Sequence, residues 1–206
     1  MRTLALIAFT VALLACAISN AEVPAELYSF SATIGNCSAT IVKPFEKDGK
    51  KTWIAITAGH CVRNGESKTI KLVWPEDVVL STTAKVVYDD SKADVASLIF
   101  TSDVESIPFC EIGAATLGGT AHVIGYPAGI GLGGKELRIT SRRASDSLIG
   151  SADIWYGNSG GGLFQEGKLV GVASARDGRG TSYYADSVAV SKAYHVAVSA
   201  AGGGDD

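Results

Sequence analysis

Short apolar or alternating runs recur along this chain about once every dozen residues, a spacing that suits strands and leaves no room for long helices. They are Leu27–Ile34, Ala39–Val42, Trp53–Thr57, Thr69–Trp74, Ala84–Tyr88 and Val95–Phe100. After a Gly- and Pro-containing connector they resume as Ala121–Tyr126, Glu136–Thr140, Gly162–Phe164, Leu169–Ser174 and Ser182–Val190. Turn signals such as Asp48-Gly49, Asn64-Gly65, Glu166-Gly167 and Asp177-Gly178 separate them, since glycine accepts the positive φ that tight turns demand. The pattern predicts an all-β chain folded as an antiparallel sandwich or a pair of barrels. One helix is expected, over Ser191–Ala200 with Ser191 as its N-cap. Residues 101–119 form the natural seam between two lobes, and the Gly202-Gly203-Gly204-Asp205-Asp206 ending reads as a disordered tail.

With 206 residues, 47% of them apolar, the chain can build one domain or two small lobes sharing a cleft. The net charge is −3 and the charges are scattered, which gives no reason to expect a nucleic-acid partner. Arg142-Arg143 is too short for a basic patch and reads as solvated surface. Gly129-Ile130-Gly131-Leu132-Gly133-Gly134 matches a dinucleotide-binding fingerprint literally, but no βαβ pattern follows, so a flexible hairpin loop is expected there.

Residues 1–21 stand apart as an export signal. Met1-Arg2 is a short positive start, and the apolar stretch from Leu4 to Ala15 is too short to cross a bilayer core of about 30 Å. Two cleavage readings stay open. Leu13-Leu14-Ala15-Cys16 resembles a bacterial lipobox, which would lipidate Cys16 and tether the protein to a membrane. Ala15-Cys16-Ala17 and Ser19-Asn20-Ala21 suit simple release. Either way the mature chain is expected in the periplasm or secreted, where disulfides persist. Cys37, Cys61 and Cys110 then remain, an odd number. A bridge between Cys37 and Cys61 would pin the turn of His60 to a neighbouring strand, leaving Cys110 as a small buried hydrophobe. Asn36-Cys37-Ser38 is formally a glycosylation sequon, expected to go unused if Cys37 is bridged. No CxxC or His/Cys cluster suggests a metal, and no cofactor is expected.

Three segments carry chemistry. Tyr156-Gly157-Asn158-Ser159-Gly160-Gly161-Gly162 sets a serine in a tight glycine turn, where the N–H groups of Gly157 and Ser159 can converge on a reacting carbonyl oxygen. A serine hydroxyl is a poor nucleophile until a base lies within hydrogen-bond reach. Thr57-Ala58-Gly59-His60-Cys61 supplies an imidazole suited to take and return the proton. Asp94, a single acid opening the apolar run Val95–Phe100, supplies the carboxylate that orients such an imidazole, with Asp89 and Asp90 in a more polar turn.

Taken together, and in the order His60, Asp94, Ser159, these segments resemble the trypsin-like (chymotrypsin-fold) serine proteases. The resemblance implies two six-stranded β-barrels around a cleft, within a protease domain over residues 22–200. The N-terminal barrel would lie at about 22–103 and the C-terminal barrel at about 118–190. It also implies a Cys37–Cys61 bridge beside the histidine and a protein or peptide as substrate. His60 would be general base, Asp94 its orienter and Ser159 nucleophile, with Gly157 and Ser159 forming the oxyanion hole. Asn158 stands where the vertebrate digestive enzymes carry the aspartate that pairs with a freed N-terminus. No Ile-Val-Gly-Gly start is present either, and the chain is more similar to compact bacterial and viral members. Asp153 falls where the resemblance places a pocket aspartate that selects Lys or Arg. Ser174 and Arg176 fall on the pocket-lining strand, where Arg176 replaces a glycine. A preference for a basic, a small or apolar, or an acidic residue before the cut bond stays open. The expected function is an exported, monomeric serine endopeptidase. The alternatives are a catalytically silent binding module on the same fold, and a narrow processing protease or esterase.

Overall fold

The computed structural model describes residues 22–63, 65–73, 79–127, 131–143 and 147–202. The export-signal segment with Cys16, Asn64, Trp74, Gly129, Ile130 and the last four residues of the tail lie outside the described residues. Twelve strands form two closed antiparallel barrels. The first contains β1 (Ser31–Ile34), β2 (Cys37–Lys47), β3 (Lys50–Thr57), β4 (Ser67–Val73), β5 (Val79–Asp90) and β6 (Val95–Phe100), hydrogen-bonded in the order β1-β2-β3-β6-β5-β4. The second contains β7 (Thr120–Gly125), β8 (Gly133–Arg143), β9 (Ser147–Gly150), β10 (Gly162–Gln165), β11 (Lys168–Arg176) and β12 (Ser182–Asp186), in the order β10-β11-β12-β9-β8-β7. Renumbered within its own barrel, the second order is the first read backwards around the ring, so one connectivity is used twice. Closure removes the free strand edges that an open sheet would expose.

Each barrel fills its interior with alternate residues of its strands. Ile34, Ile41, Trp53, Ile70, Leu98 and Phe100 pack in the first, and Val123, Leu137, Ile139, Leu163, Val170 and Tyr184 in the second. A third cluster lies between them. Leu27, Val42, Ile54, Ile56, Ile124, Phe164, Leu169 and Val172 meet there. This explains why β3 is apolar at consecutive positions rather than alternating. Trp53 and Ala55 point into the barrel while Ile54 and Ile56 point to the shared core, and all four are buried. The helix α1 (Ser187–Ala200) lays Ala189, Val190, Ala193 and Ala197 onto the same shared core.

Several boundaries differ from the sequence reading. The run Leu27–Ile34 divides into a 3-10 turn, Ala25–Phe30, and β1. The strand β9, only four residues long with Leu148 and Gly150 buried, carries too little pattern to stand out. The run over Ser182–Val190 ends as strand at Asp186, and α1 begins at Ser187 rather than after Ser191. Asp186 is buried, its carboxylate paired with Arg142 at 2.6 Å and accepting from the Ser187 hydroxyl at 2.8 Å. That tertiary anchor stops the strand, and burial of Ala189 and Val190 outweighs the β-branched residues' modest reluctance to be helical. β7 and β8 pair from Thr120↔Arg138 to Gly125↔Gly133, so the glycine-rich segment connects a hairpin and opens no nucleotide-binding helix.

The connector between barrels bonds to both. Cys110 donates to the Ile41 carbonyl and accepts from the Lys43 N–H on β2, while Glu111 and Gly113 exchange N–H···O bonds with Leu169 on β11. Cys110 is buried and free, and burial pushes its thiol far above the usual range, so it stays protonated and inert. Cys37 and Cys61 are joined in a disulfide across a sequence separation of 24. In the chain-entropy model a loop of that size stabilises the fold by roughly 3 kcal/mol. The double variant Cys37→Ala/Cys61→Ala is therefore expected to lose about that much in urea unfolding. Adding reductant should then lower the stability of the wild type and leave the double variant unchanged.

Candidate active site

His60 is placed by two constraints. β3 ends at Thr57 and the chain turns through a single 3-10 turn, Gly59–Cys61, whose last residue is bridged to Cys37 at the start of β2. Gly59 sits close to two carboxylates: an added Cβ would lie 2.8 Å from that of the exposed Asp89 and 3.3 Å from that of Asp94. Asp94 closes the turn between β5 and β6. The Asp90 carboxylate caps that turn by accepting the N–H groups of Lys92 and Ala93, each at 3.0 Å. Asp94 itself has φ +54°, a left-handed conformation that aspartate tolerates better than most residues.

The carboxylate of Asp94 collects three donors. The backbone N–H of His60 reaches Oδ1 at 2.9 Å, the imidazole Nδ1 lies 2.8 Å from Oδ2, and the Ser174 hydroxyl donates to Oδ2 at 2.5 Å. Burial opposes ionisation of this carboxyl, but the bonds from His60 and Ser174 outweigh it and hold its pKa below the ordinary aspartate value. An ionised carboxylate can only accept. Nδ1 therefore carries the imidazole proton, and in the neutral ring Nε2 keeps its lone pair.

Ser159 sits in the turn between β9 and β10. Its carbonyl accepts the Ser38 N–H at 2.7 Å, and the next residue, Gly160, donates to Ala173 at 2.7 Å. Gly160 has φ +85°, and a Cβ there would collide with the Ser38 carbonyl oxygen and the Thr57 hydroxyl. Gly157 has φ +94°. The turn is thus pressed against the first barrel as closely as a backbone without side chains allows.

His60 and Ser159 line one cavity of about 570 Å³, together with Ile154, Trp155, Tyr156 and the stretch from Ser174 to Gly178. Trp155 and Tyr156 are 63% and 78% exposed, unusual for rings of that size. The Arg176 guanidinium lies over both, 5.4 Å and 4.9 Å from the ring centres. Of the residues singled out from sequence, His60, Ser159, Ser174 and Arg176 share this cavity, and Asp94 meets His60 and Ser174 beside it. Asp153 does not join them. It lines a separate cavity of about 230 Å³ with Lys135 and Asn158, on the other side of the wall formed by Ile154 and Trp155. Cys37, His60 and Cys61 also come within ligand distance of one another, but the two sulfurs are bonded together and offer no thiolates.

A family model described as a trypsin-like peptidase domain matches residues 37–172. The chain belongs to this family. No curated protein sequence matches it. Among solved structures it is similar to the serine endoprotease from Yersinia pestis, with a TM-score of 0.67 and 20% identity over 86% of this chain and 68% of that one. The Rv3671c protease in its inactive form aligns with a TM-score of 0.63 and 19% identity over 82% and 89%. The HtrA-type protease AlgW with tripeptide aligns at 0.66 and 19% over 85% and 64%. At such identities the likeness is one of fold.

In this trypsin-like peptidase two groups at the site were not singled out by sequence reasoning. Tyr156 opens the glycine-rich heptapeptide, yet nothing in its neighbours announces that its ring is exposed. Ser38 shows no pattern of its own, and only the contacts of the folded chain reveal it. Trp155, the neighbour of Tyr156, also faces the cavity.

The lowered pKa of Asp94 has a consequence for stability. A carboxylate more acidic when folded than when unfolded contributes stability above the unfolded value of 3.8, and loses it as pH falls through the folded pKa. Urea midpoints measured from pH 6 down to pH 2 should therefore fall more for wild type than for Asp94→Asn, whose side chain does not titrate.

Proposed function

We propose that this trypsin-like peptidase is a serine endopeptidase, with His60 as general base, Asp94 as its orienter and Ser159 as nucleophile. The observation that carries the reading is the His60 Nδ1–Asp94 pair, which leaves Nε2 as the acceptor at a cavity shared with Ser159. Ser159 Oγ attacks the carbonyl carbon of a peptide bond while Nε2 takes its proton. The carbonyl oxygen becomes an oxyanion, stabilised by the N–H groups of Gly157 and Ser159. Imidazolium then returns the proton to the departing amine, leaving an acyl-enzyme. Water, deprotonated by the same nitrogen, releases the acid and restores the serine.

The same cavity supplies the side-chain pocket. Ser174, Arg176, Trp155 and Tyr156 line it, with the Arg176 guanidinium seated over the two rings, and Asp153 does not line it. Residues 1–21 are read as the export signal, with Cys16 either lipidated or removed. The Cys37–Cys61 bridge supports an oxidising location for the mature chain. Protein or peptide substrates and a monomeric enzyme complete the reading.

Three variants test it. Ser159→Ala should abolish labelling by a fluorophosphonate probe and lower kcat on a peptide substrate by about 10⁶-fold. Asp94→Asn, which removes the anion but keeps the shape, should lower kcat by about 10⁴-fold. Near-normal turnover in either variant would sink the assignment. For the pocket, cleavage of a peptide library should shift its preferred residues in Arg176→Ala and stay unchanged in Asp153→Ser. The reverse pattern would move the pocket to the other side of the Ile154–Trp155 wall.

A further inference from the structure

Ser38 is fully buried, and it makes four hydrogen bonds to segments far apart in sequence. Its N–H donates to the Ser159 carbonyl at 2.7 Å. Its carbonyl accepts from the Thr57 hydroxyl at 2.7 Å, one step before the His60 turn. Its hydroxyl donates to the Gly157 carbonyl at 2.6 Å and accepts from the Tyr126 N–H at 2.8 Å. A serine hydroxyl has a single proton. With one lone pair taken by Tyr126, that proton is committed to Gly157.

The two carbonyls Ser38 holds are those of Gly157 and Ser159. They belong to the peptide units immediately before and after the one that carries the Ser159 N–H. The carbonyl of that middle unit, on Asn158, accepts the Gly161 N–H at 2.8 Å. Three successive peptide planes are therefore fixed, two of them by one residue of the opposite barrel. The glycines around Ser38 leave space for this. A Cβ on Gly125 would lie 2.8 Å from the Ser38 hydroxyl oxygen, and one on Gly160 would strike the Ser38 carbonyl. Gly157 has φ +94°, in a region where glycine moves at little cost, so without an anchor the peptide plane that follows it, between Gly157 and Asn158, has no intrinsic reason to hold one orientation.

We infer that Ser38 is a positioning residue for the oxyanion hole, its hydroxyl fixing the Gly157–Asn158 peptide plane next to the one that carries the Ser159 N–H, so that this donor keeps its aim. The inference rests on the reading of Ser159 as nucleophile. Donors aimed at the developing oxyanion act on the tetrahedral state more than on the bound substrate. Loss of the Ser38 hydroxyl should thus weaken the tetrahedral state selectively, which a merely structural role would not do.

The test compares wild type, Ser38→Cys, which keeps a weaker donor, and Ser38→Ala, which has none. For each, the inhibition constant of a peptide aldehyde that forms a tetrahedral adduct is measured. So is the dissociation constant of an uncleaved peptide in the Ser159→Ala background. Ser182→Ala, which removes a buried hydroxyl bonded to Tyr184 inside the second barrel, controls for general destabilisation. Aldehyde affinity should fall in the order Ser, Cys, Ala, by roughly 10- to 100-fold at the end of the series, with peptide affinity within about two-fold throughout. Ser182→Ala should change neither. Equal losses in both constants, or no loss of aldehyde affinity, overturn the inference, and the Ser/Cys pair carries the comparison if Ser38→Ala does not fold. A wild type that forms no aldehyde adduct and takes no fluorophosphonate label overturns instead the reading of Ser159.

Discussion

The shared core between the barrels is the constraint on which the site depends. His60 and Asp94 belong to the first barrel, Ser159 and Ser174 to the second, and no segment contains them all. Their mutual distances are set by how Ile54 and Ile56 of β3 pack against Phe164, Leu169 and Val172. Close-packed apolar side chains resist sliding, because a shift of even one methylene opens voids or forces poor rotamers. A hydrogen bond such as Ser174 to Asp94 can therefore span the cleft without a covalent brace. The helix α1 covers the open flank of this core and shields Val95 and Ile54 from water.

Polar contacts then refine what packing places roughly. The Cys37–Cys61 bridge and the Thr57–Ser38 bond tie the histidine turn to β2, and the neighbouring Ser38 bonds tie β2 to the serine turn. The site is thus anchored through two adjacent residues, one by a covalent bond and one by hydrogen bonds. Glycine makes this possible at Gly160, where a side chain would strike the Ser38 carbonyl oxygen and hold the partners apart.

The all-β class, both barrels and the chain order of His60, Asp94 and Ser159 were legible in the sequence. Strand periodicity and glycine turns are local signals, and the chemistry-bearing motifs are short and distinctive. The exact start of α1 was not legible, because Asp186 stops the strand only through Arg142, a partner 44 positions away. The side of the loop on which Asp153 lies was not legible for a similar reason. Counting residues back from Ser159 gives a position along the loop, but not which side of the Ile154–Trp155 wall its side chain takes. Arg176 could be foreseen near the pocket, yet its seat over two exposed rings depends on a loop whose shape no local pattern encodes. Ser38 was invisible for the opposite reason. Its chemistry is ordinary, and only its surroundings are special.

The connector that joins the barrels also bonds to β2 on one side and β11 on the other, through Cys110 and then through Glu111 and Gly113. It works as a splint as well as a tether. A splint keeps its hold when the cord running into it is severed. A chain nicked between Phe100 and Cys110 would leave the carboxyl-terminal fragment still laced to the first barrel by the Cys110 bonds and the common apolar interior. The two halves of the cleft would then survive as a two-piece molecule, because their alignment does not depend on an unbroken backbone between them.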